Sequence, residues 1–205
     1  MGDTHIITVA CAKGGCAKTT TSMQLAGILN RWGRKTTVLD ADNTGGATKW
    51  ARLAEEAGDP VAFPVLHVDG RGLDRRRIIA EHAGEWVFID TPPSGIDVIQ
   101  KAIGCADVTI IPTQPSIIDL QLAGETFRAT GDAIVLLTRA KRNTNLTRDT
   151  IAYLDGEGIA RFDTIVGDRQ ALMRAVGGSD LDMREYSGVA QELVEYVDGM
   201  DGEVE

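Results

Sequence analysis

Apolar residues in this chain fall into short, nearly unbroken runs, separated by longer stretches where they recur every three or four positions. The runs cover 6–11, 36–40, 61–67, 86–90, 108–112, 133–138 and a weaker 162–166. Such runs predict strands buried on both faces. The periodic stretches, 19–32, 47–57, 75–83, 96–103, 117–130, 146–155, 168–176 and 185–197, predict helices. The alternation implies right-handed βαβ units and an α/β fold: a single-domain, doubly wound, mainly parallel sheet. Ligands of such sheets bind beyond the carboxyl ends of the strands. The polar residues that follow the runs are therefore the ones to weigh: Lys13, Asp40 with Asp42, Asp90, and the Thr138–Arg139 junction.

A chain of 205 residues is long enough for one sizeable core, so the expectation is one domain over 1–205 with an acidic tail near 198–205. Charge is unevenly divided. Of 30 acidic and 21 basic residues, nine acids but only Arg184 among the bases lie at or beyond Val176, leaving residues 1–175 near neutral. The net charge of -9 is mostly a C-terminal feature and leaves room for an anion-binding face elsewhere. No stretch approaches the ~18 uninterrupted apolar residues of a membrane span. The first residues do not resemble a secretion signal, and Ile6 stands where a myristoylation motif wants Ser or Thr. Cys11, Cys16 and Cys105 have neither CxxC nor metal-ligand spacing, fit a reducing cytoplasm, and read as fillers of small apolar space.

The chemistry begins between the first run and the first helix, at Ala12-Lys13-Gly14-Gly15-Cys16-Ala17-Lys18-Thr19-Thr20. A Gly-rich turn between strand and helix aims successive N–H groups at one point and cradles phosphate. Lys18 can reach β/γ-phosphates, and the Thr19 hydroxyl can take a Mg²⁺ site. Lys13 is a second ammonium, which one loop has little use for unless a second nucleotide is near. Ala12 and Ala17 occupy positions usually held by glycine, and a left-handed Ala17 would cost about 1–2 kcal/mol.

Two carboxylates, Asp40 and Asp42, end the second run. One can orient an attacking water while the other supports the metal shell or the loop; the competing role is a helix cap, because Asp42, Asn43 and Thr44 precede a helix. Asp90 ends the run Trp86-Val-Phe-Ile-Asp90 and is placed to hold magnesium through its water shell. The stiff turn Thr91–Gly95, with Pro92 and Pro93, would respond to a γ-phosphate.

Four motifs in order, Lys13 to Thr20, Val38-Leu-Asp-Ala-Asp42, Phe88-Ile-Asp90-Thr-Pro-Pro and Ile110-Ile-Pro-Thr-Gln-Pro-Ser-Ile-Ile-Asp119, resemble the deviant Walker P-loop ATPases of the ParA family, relatives of MinD. The later Phe162-Asp-Thr-Ile-Val-Gly-Asp-Arg169 is similar to the short plasmid-partition type, and the start close to the first strand fits a form without an N-terminal helix-turn-helix. The resemblance implies ATP and Mg²⁺ as cofactors, held by Lys13, Gly14, Gly15, Cys16, Ala17, Lys18, Thr19 and Thr20. It implies a face-to-face homodimer around two nucleotides, in which Lys13 reaches the partner's phosphates. Lys13, Lys18 and Asp42 become the catalytic set, Asp42 positioning the water, with Thr19 and Asp90 (through water) at the metal.

The implied function is DNA partition: an ATP dimer binds DNA without sequence preference, near the nucleoid, until a centromere-binding ParB-like adaptor stimulates hydrolysis. Cations facing phosphates would come from Arg139, Lys141, Arg142 and Arg148, joined by Arg169 and Arg174. The acidic tail would have to lie away from that face. Two alternatives share the loop: a ParA-like ATPase that positions a protein assembly, and a P-loop small-molecule ligase. Residues 192–205 contain no Lys or Arg, which argues against a MinD-like membrane helix.

Overall fold

The computed structural model describes residues 3–141, 143–168, 172 and 175–202. Its centre is a six-stranded, wholly parallel sheet in the order β3-β2-β4-β1-β5-β6. The strands are β1 (His5–Val9), β2 (Thr36–Asp40), β3 (Val65–His67), β4 (Trp86–Asp90), β5 (Val108–Thr113) and β6 (Ala133–Leu137). Between and after them run α1 (Lys18–Arg31), α2 (Gly46–Glu56), α3 (Arg75–Glu81), α4 (Ile96–Cys105), α5 (Ile117–Arg128), α6 (Asn145–Gly156) and α7 (Glu185–Gly202). The expected α/β doubly wound architecture is the one adopted.

Period-two alternation within each strand sorts the helices onto two faces. Ile7, Val9, Val38, Trp86, Phe88, Ile110, Ile134 and Leu136 pack towards α1, α2 and α7. The intervening residues turn the other way: Ile6, Leu39, Val87 and Ile89 meet α3 and α4, while Ile111, Val135 and Leu137 meet α5 and α6. Tyr186 of α7 is fully buried against α1, its hydroxyl 3.0 Å from Thr21 Oγ1. Arg148, the one base of α6, and the acidic helix α7 thus lie on opposite sides of the sheet.

Two expected strands come out shorter or absent. The run 61–67 forms a strand only over Val65–His67. Pro64 has no N–H for a ladder and only offers its carbonyl to Val38 N at 2.9 Å, while Phe63 turns into the core. The weaker run 162–166 is not a strand: it touches β6 and its extension through isolated bridges at Arg161 and Gly167. The amides of Asp163 and Thr164 donate instead to the Glu192 carboxylate of α7, at 2.6 and 2.9 Å. Phe162 N and Val166 N still donate to the β6 carbonyls of Val135 and Leu137, so the charged acceptor takes from the ladder the Thr164 amide between them. The helix expected over 168–176 lies mostly outside the described residues.

Glu192 therefore pins the segment that closes the β6 edge. Glu192→Ala should destabilise the protein by about 2 kcal/mol, the worth of hydrogen bonds to a charged group at a half-buried site. A urea midpoint equal to the parent's would show that these bonds contribute nothing.

Candidate functional site

The loop between β1 and α1 closes around its own lysine. Lys18 is buried, and its Nζ donates to the carbonyls of Cys11 (3.2 Å) and Lys13 (3.1 Å). That ammonium sits where oxygens of a bound phosphate would take over from the carbonyls. The turn needs two left-handed residues, Gly15 at φ 76° and Ala17 at φ 75°. Glycine adopts this freely and alanine does not, so the neighbours must hold Ala17 in place. They do so through Gln114 Nε2, which donates to Gly15 O (3.1 Å), and Thr138 Oγ1, which donates to Cys16 O (3.2 Å). Helix α1 starts with no side-chain cap and no acid in its first turn, unlike α5 and α6, which Ser116 and Thr144 cap. Its first N–H groups and its dipole are left for an anion.

Beside the loop is a carboxylate with half its bonding unmet. Asp90 is fully buried; Thr19 Oγ1 donates to its Oδ2 at 2.7 Å, and Oδ1 has no partner among the described residues. Burial pushes its carboxyl up to about 7; the Thr19 bond opposes this, and Asp40 and Asp42 add to it. An orphaned carboxylate oxygen next to a threonine hydroxyl and an ammonium fits a magnesium-nucleotide site, because a hard cation takes oxygen ligands.

Asp40 and Asp42 divide their work. Asp40 is buried and ties down α2, accepting from Thr48 N (2.8 Å) and Thr48 Oγ1 (2.9 Å). Asp42 accepts from Thr44 N at 2.8 Å through one oxygen. The helix-tying role therefore falls to Asp40, and Asp42 is the more exposed of the two. Helix α2 also sits against the loop: a Cβ on Gly46 would come within 3.1 Å of Thr19 Oγ1.

Lys13 bends inward. Its Nζ lies 2.6 Å from Asp119 Oδ1 in the first turn of α5, with the lysine 44% exposed and the aspartate 7%. Sequence marks Thr138 as a strand-end residue and places Gln114 and Asp119 in a motif, but gives none of the three a partner. The Ser116-x-x-Asp119 spacing signals a helix start, but the Lys13 contact spans 106 positions and has no local signature.

A cavity of about 310 Å³ opens next to the phosphate loop, lined by Ala17, Thr20, Thr138, Arg139, Gly167 and Asp168 among others. Arg139, expected on a DNA-facing surface, is exposed, also lines this cavity, and is left-handed at φ 50°. Lys141 and Arg148 are exposed, Arg148 donating to Asn145 Oδ1 at 3.1 Å. Arg142, Arg169 and Arg174 lie outside the described residues. No described helix is long and apolar enough to cross a membrane.

Residues 7–181 match the family model of the CobQ/CobB/MinD/ParA nucleotide binding domain, and the chain belongs to that family. It is 28% identical over 184 residues to the Maintenance of carboxysome distribution protein A of Halothiobacillus neapolitanus, covering 83% of this chain and 82% of that protein. It is also 28% identical over 134 residues to the chromosome-partitioning ATPase Soj of Thermus thermophilus, covering 53% of this chain and 54% of Soj. Among solved structures, an ATP complex of a variant of Cyanothece McdA shares the fold, with a TM-score of 0.76 and 16% identity over 95% of this chain and 98% of that one.

The raised pKa of Asp90 has a signed consequence. Between its ordinary value and about 7 the folded chain keeps a proton that the unfolded chain has released. Stability from this group is therefore fully present below the ordinary carboxylate range and lost as pH rises through 7. Nucleotide-free Asp90→Asn should gain in unfolding free energy relative to the parent as pH is raised from about 5 to about 8, by a few kcal/mol at most, read from urea midpoints. Parallel pH profiles for the two proteins would remove the buried charge from Asp90.

Proposed function

We propose that this chain, as a member of that nucleotide-binding family, is a ParA-like ATPase that closes in pairs around two ATP molecules and positions a large cargo along DNA. The observation that carries this reading is a second, half-exposed ammonium, Lys13, in a loop whose central position Lys18 already fills. The edge that Lys13 occupies is also apolar where it faces solvent. Ile96 at the start of α4 and Ile117 and Ile118 at the start of α5 are 72%, 74% and 68% exposed. A face that carries both exposed apolar side chains and a movable cation suits a second copy of the same face.

In this reading Lys18 exchanges loop carbonyls for β- and γ-phosphate oxygens, the amides of residues 14–20 cradle the phosphates, and base and ribose enter the cavity beside Thr138 and Arg139. Thr19 and Asp90 (through water) would hold a magnesium ion, which when bound would supply charge neutralisation for phosphoryl transfer. Asp42 orients the attacking water from its free carboxylate oxygen. Closure of the pair requires Lys13 to leave Asp119 for the partner's phosphates.

Similarity over most of both chains to a carboxysome distribution protein favours a protein assembly as cargo. Plasmid or chromosome partition with a ParB-like adaptor is the second reading, supported by the similarity to Soj over about half of each chain. Both use the nucleoid as a track. Of the cations named for it, Arg139, Lys141 and Arg148 are described and exposed, and α6 lies across the sheet from acidic α7.

Lys13→Ala should retain fluorescent-ATP affinity within about twofold yet fail to dimerise with a non-hydrolysable triphosphate and magnesium. Asp119→Asn, which frees the lysine, should dimerise at lower nucleotide concentration. Light scattering that finds the parent monomeric at saturation would overturn the paired site.

Random-sequence DNA should bind in ATP but not ADP, with affinity falling as salt rises. The double variant Lys141→Ala/Arg148→Ala should flatten the log–log salt slope by about one for each phosphate that is no longer neutralised. ATP-independent DNA binding, or an unchanged slope, would count against this track-binding surface.

A further inference from the structure

Two cysteines bracket the phosphate loop, and none of the roles above uses their thiols. Cys11 ends the β1 side of the turn and Cys16 precedes its left-handed Ala17. Both line one narrow cleft between the loop and the β5–α5 connection, together with Lys13, Thr113, Gln114 and Asp119. They are 9% and 2% exposed. Cys16 Sγ donates to Lys13 O at 3.2 Å, and Lys18 Nζ lies 3.7 Å from the same sulfur. The thiols also act on each other: hydrogen bonding with Cys16, helped by the Lys13 amide and the Lys18 ammonium, lowers Cys11 to about 7, and the same pairing raises Cys16. These directions favour Cys11 as the attacking thiolate and Cys16 as the resolving thiol beside it. Cys105, the third free cysteine, is in a separate core cluster at the end of α4.

We propose that Cys11 and Cys16 form a peroxide-sensitive pair whose disulfide closes the phosphate loop to nucleotide. The inference rests on the nucleotide-site reading above. Hydrogen peroxide is the oxidant. The Cys11 thiolate attacks one peroxide oxygen, the O–O bond breaks, and the departing hydroxide takes a proton to become water. Cys11 is left as a sulfenic acid. The Cys16 sulfur then attacks the Cys11 sulfur, the S–O bond breaks, and the hydroxyl leaves as a second water with the Cys16 proton. Two thiols and one peroxide thus yield one disulfide and two waters, and a dithiol reductant reverses the change.

The bond shuts the site for a geometric reason. Drawing the Cys16 sulfur onto Cys11 takes it off the Lys13 carbonyl, one of the two that hold Lys18. It also pulls on a peptide between Gly15 and Ala17, whose left-handed conformations have little room to adjust. Coupling is reciprocal, so a bound nucleotide that fixes the loop must also oppose the disulfide.

The test treats the whole protein with hydrogen peroxide, with and without magnesium and a non-hydrolysable ATP analogue. Trypsin cuts after Lys13 and Lys18, so the disulfide would join the peptide ending at Lys13 to the peptide 14–18. The expected results are that linked pair, at least about a tenfold loss of fluorescent-ATP affinity on oxidation, recovery with dithiothreitol, and slower linkage when nucleotide is bound. Cys11→Ser and Cys16→Ser, each compared with its own unoxidised sample, should show neither linkage nor peroxide-dependent loss. Cys105→Ser should respond like the parent. Absence of the linked peptides, or linkage with affinity unchanged, would overturn the proposal. An unoxidised parent that fails to bind fluorescent ATP while still forming the linkage would instead overturn the nucleotide-site reading.

Discussion

Asp90 is buried at the end of a strand inside the sheet, with one oxygen held by Thr19 and the other without a partner among the described residues. A buried carboxylate in that condition is costly, and the cost is relieved only by a proton or a cation. Lys18, buried on the same edge, faces the opposite problem and is satisfied by loop carbonyls that compete poorly with phosphate. The apo site therefore holds two groups whose best partners come from outside. Much of the surrounding structure keeps those groups from relaxing: Asp40 fastens α2, Thr138 and Gln114 fasten the loop, and Ala17 remains left-handed despite its Cβ.

The order of strands is what makes this possible. β1 and β4 are neighbours, as are β4 and β2, so three strand ends bring the loop, Asp90 and the Asp40–Asp42 pair to one edge. β5 lies on the other side of β1, and its outgoing helix delivers Asp119 to Lys13. A nucleotide at this edge would meet the ends of several strands at once. The same arrangement places Lys141 and Arg148, before and within α6, across the sheet from the acids of α7, so the chain's overall negative charge does not decide what those two cations can meet.

Lys13, Cys11 and Cys16 belong to one short turn but answer to different conditions. Lys13 is held by an internal carboxylate while half exposed, and the Cys16 thiol donates to the Lys13 carbonyl of the same loop. A loop strained at Ala17 and tied at three points has few alternative conformations. A small chemical change within it is therefore transmitted to the binding edge instead of being absorbed.

Local pattern was enough to read most of this protein. Continuous apolar runs identified the six strands, helical periodicity the helices, and the Gly-rich turn with Lys18, Thr19 and Asp90 the core of the site, because each is encoded within a few consecutive residues. Tertiary structure decided what depends on distant partners. Glu192 takes the Thr164 amide that would have continued the ladder between Phe162 and Val166, Asp40 takes the helix-tying role that nearby Asp42 could equally have filled, and exposed Arg139 comes to line a cavity beside the phosphate loop. Asp119 could be matched to Lys13 only after β1 and β5 were placed side by side, because an ion pair between residues so far apart in sequence is created by packing and leaves no mark on local periodicity.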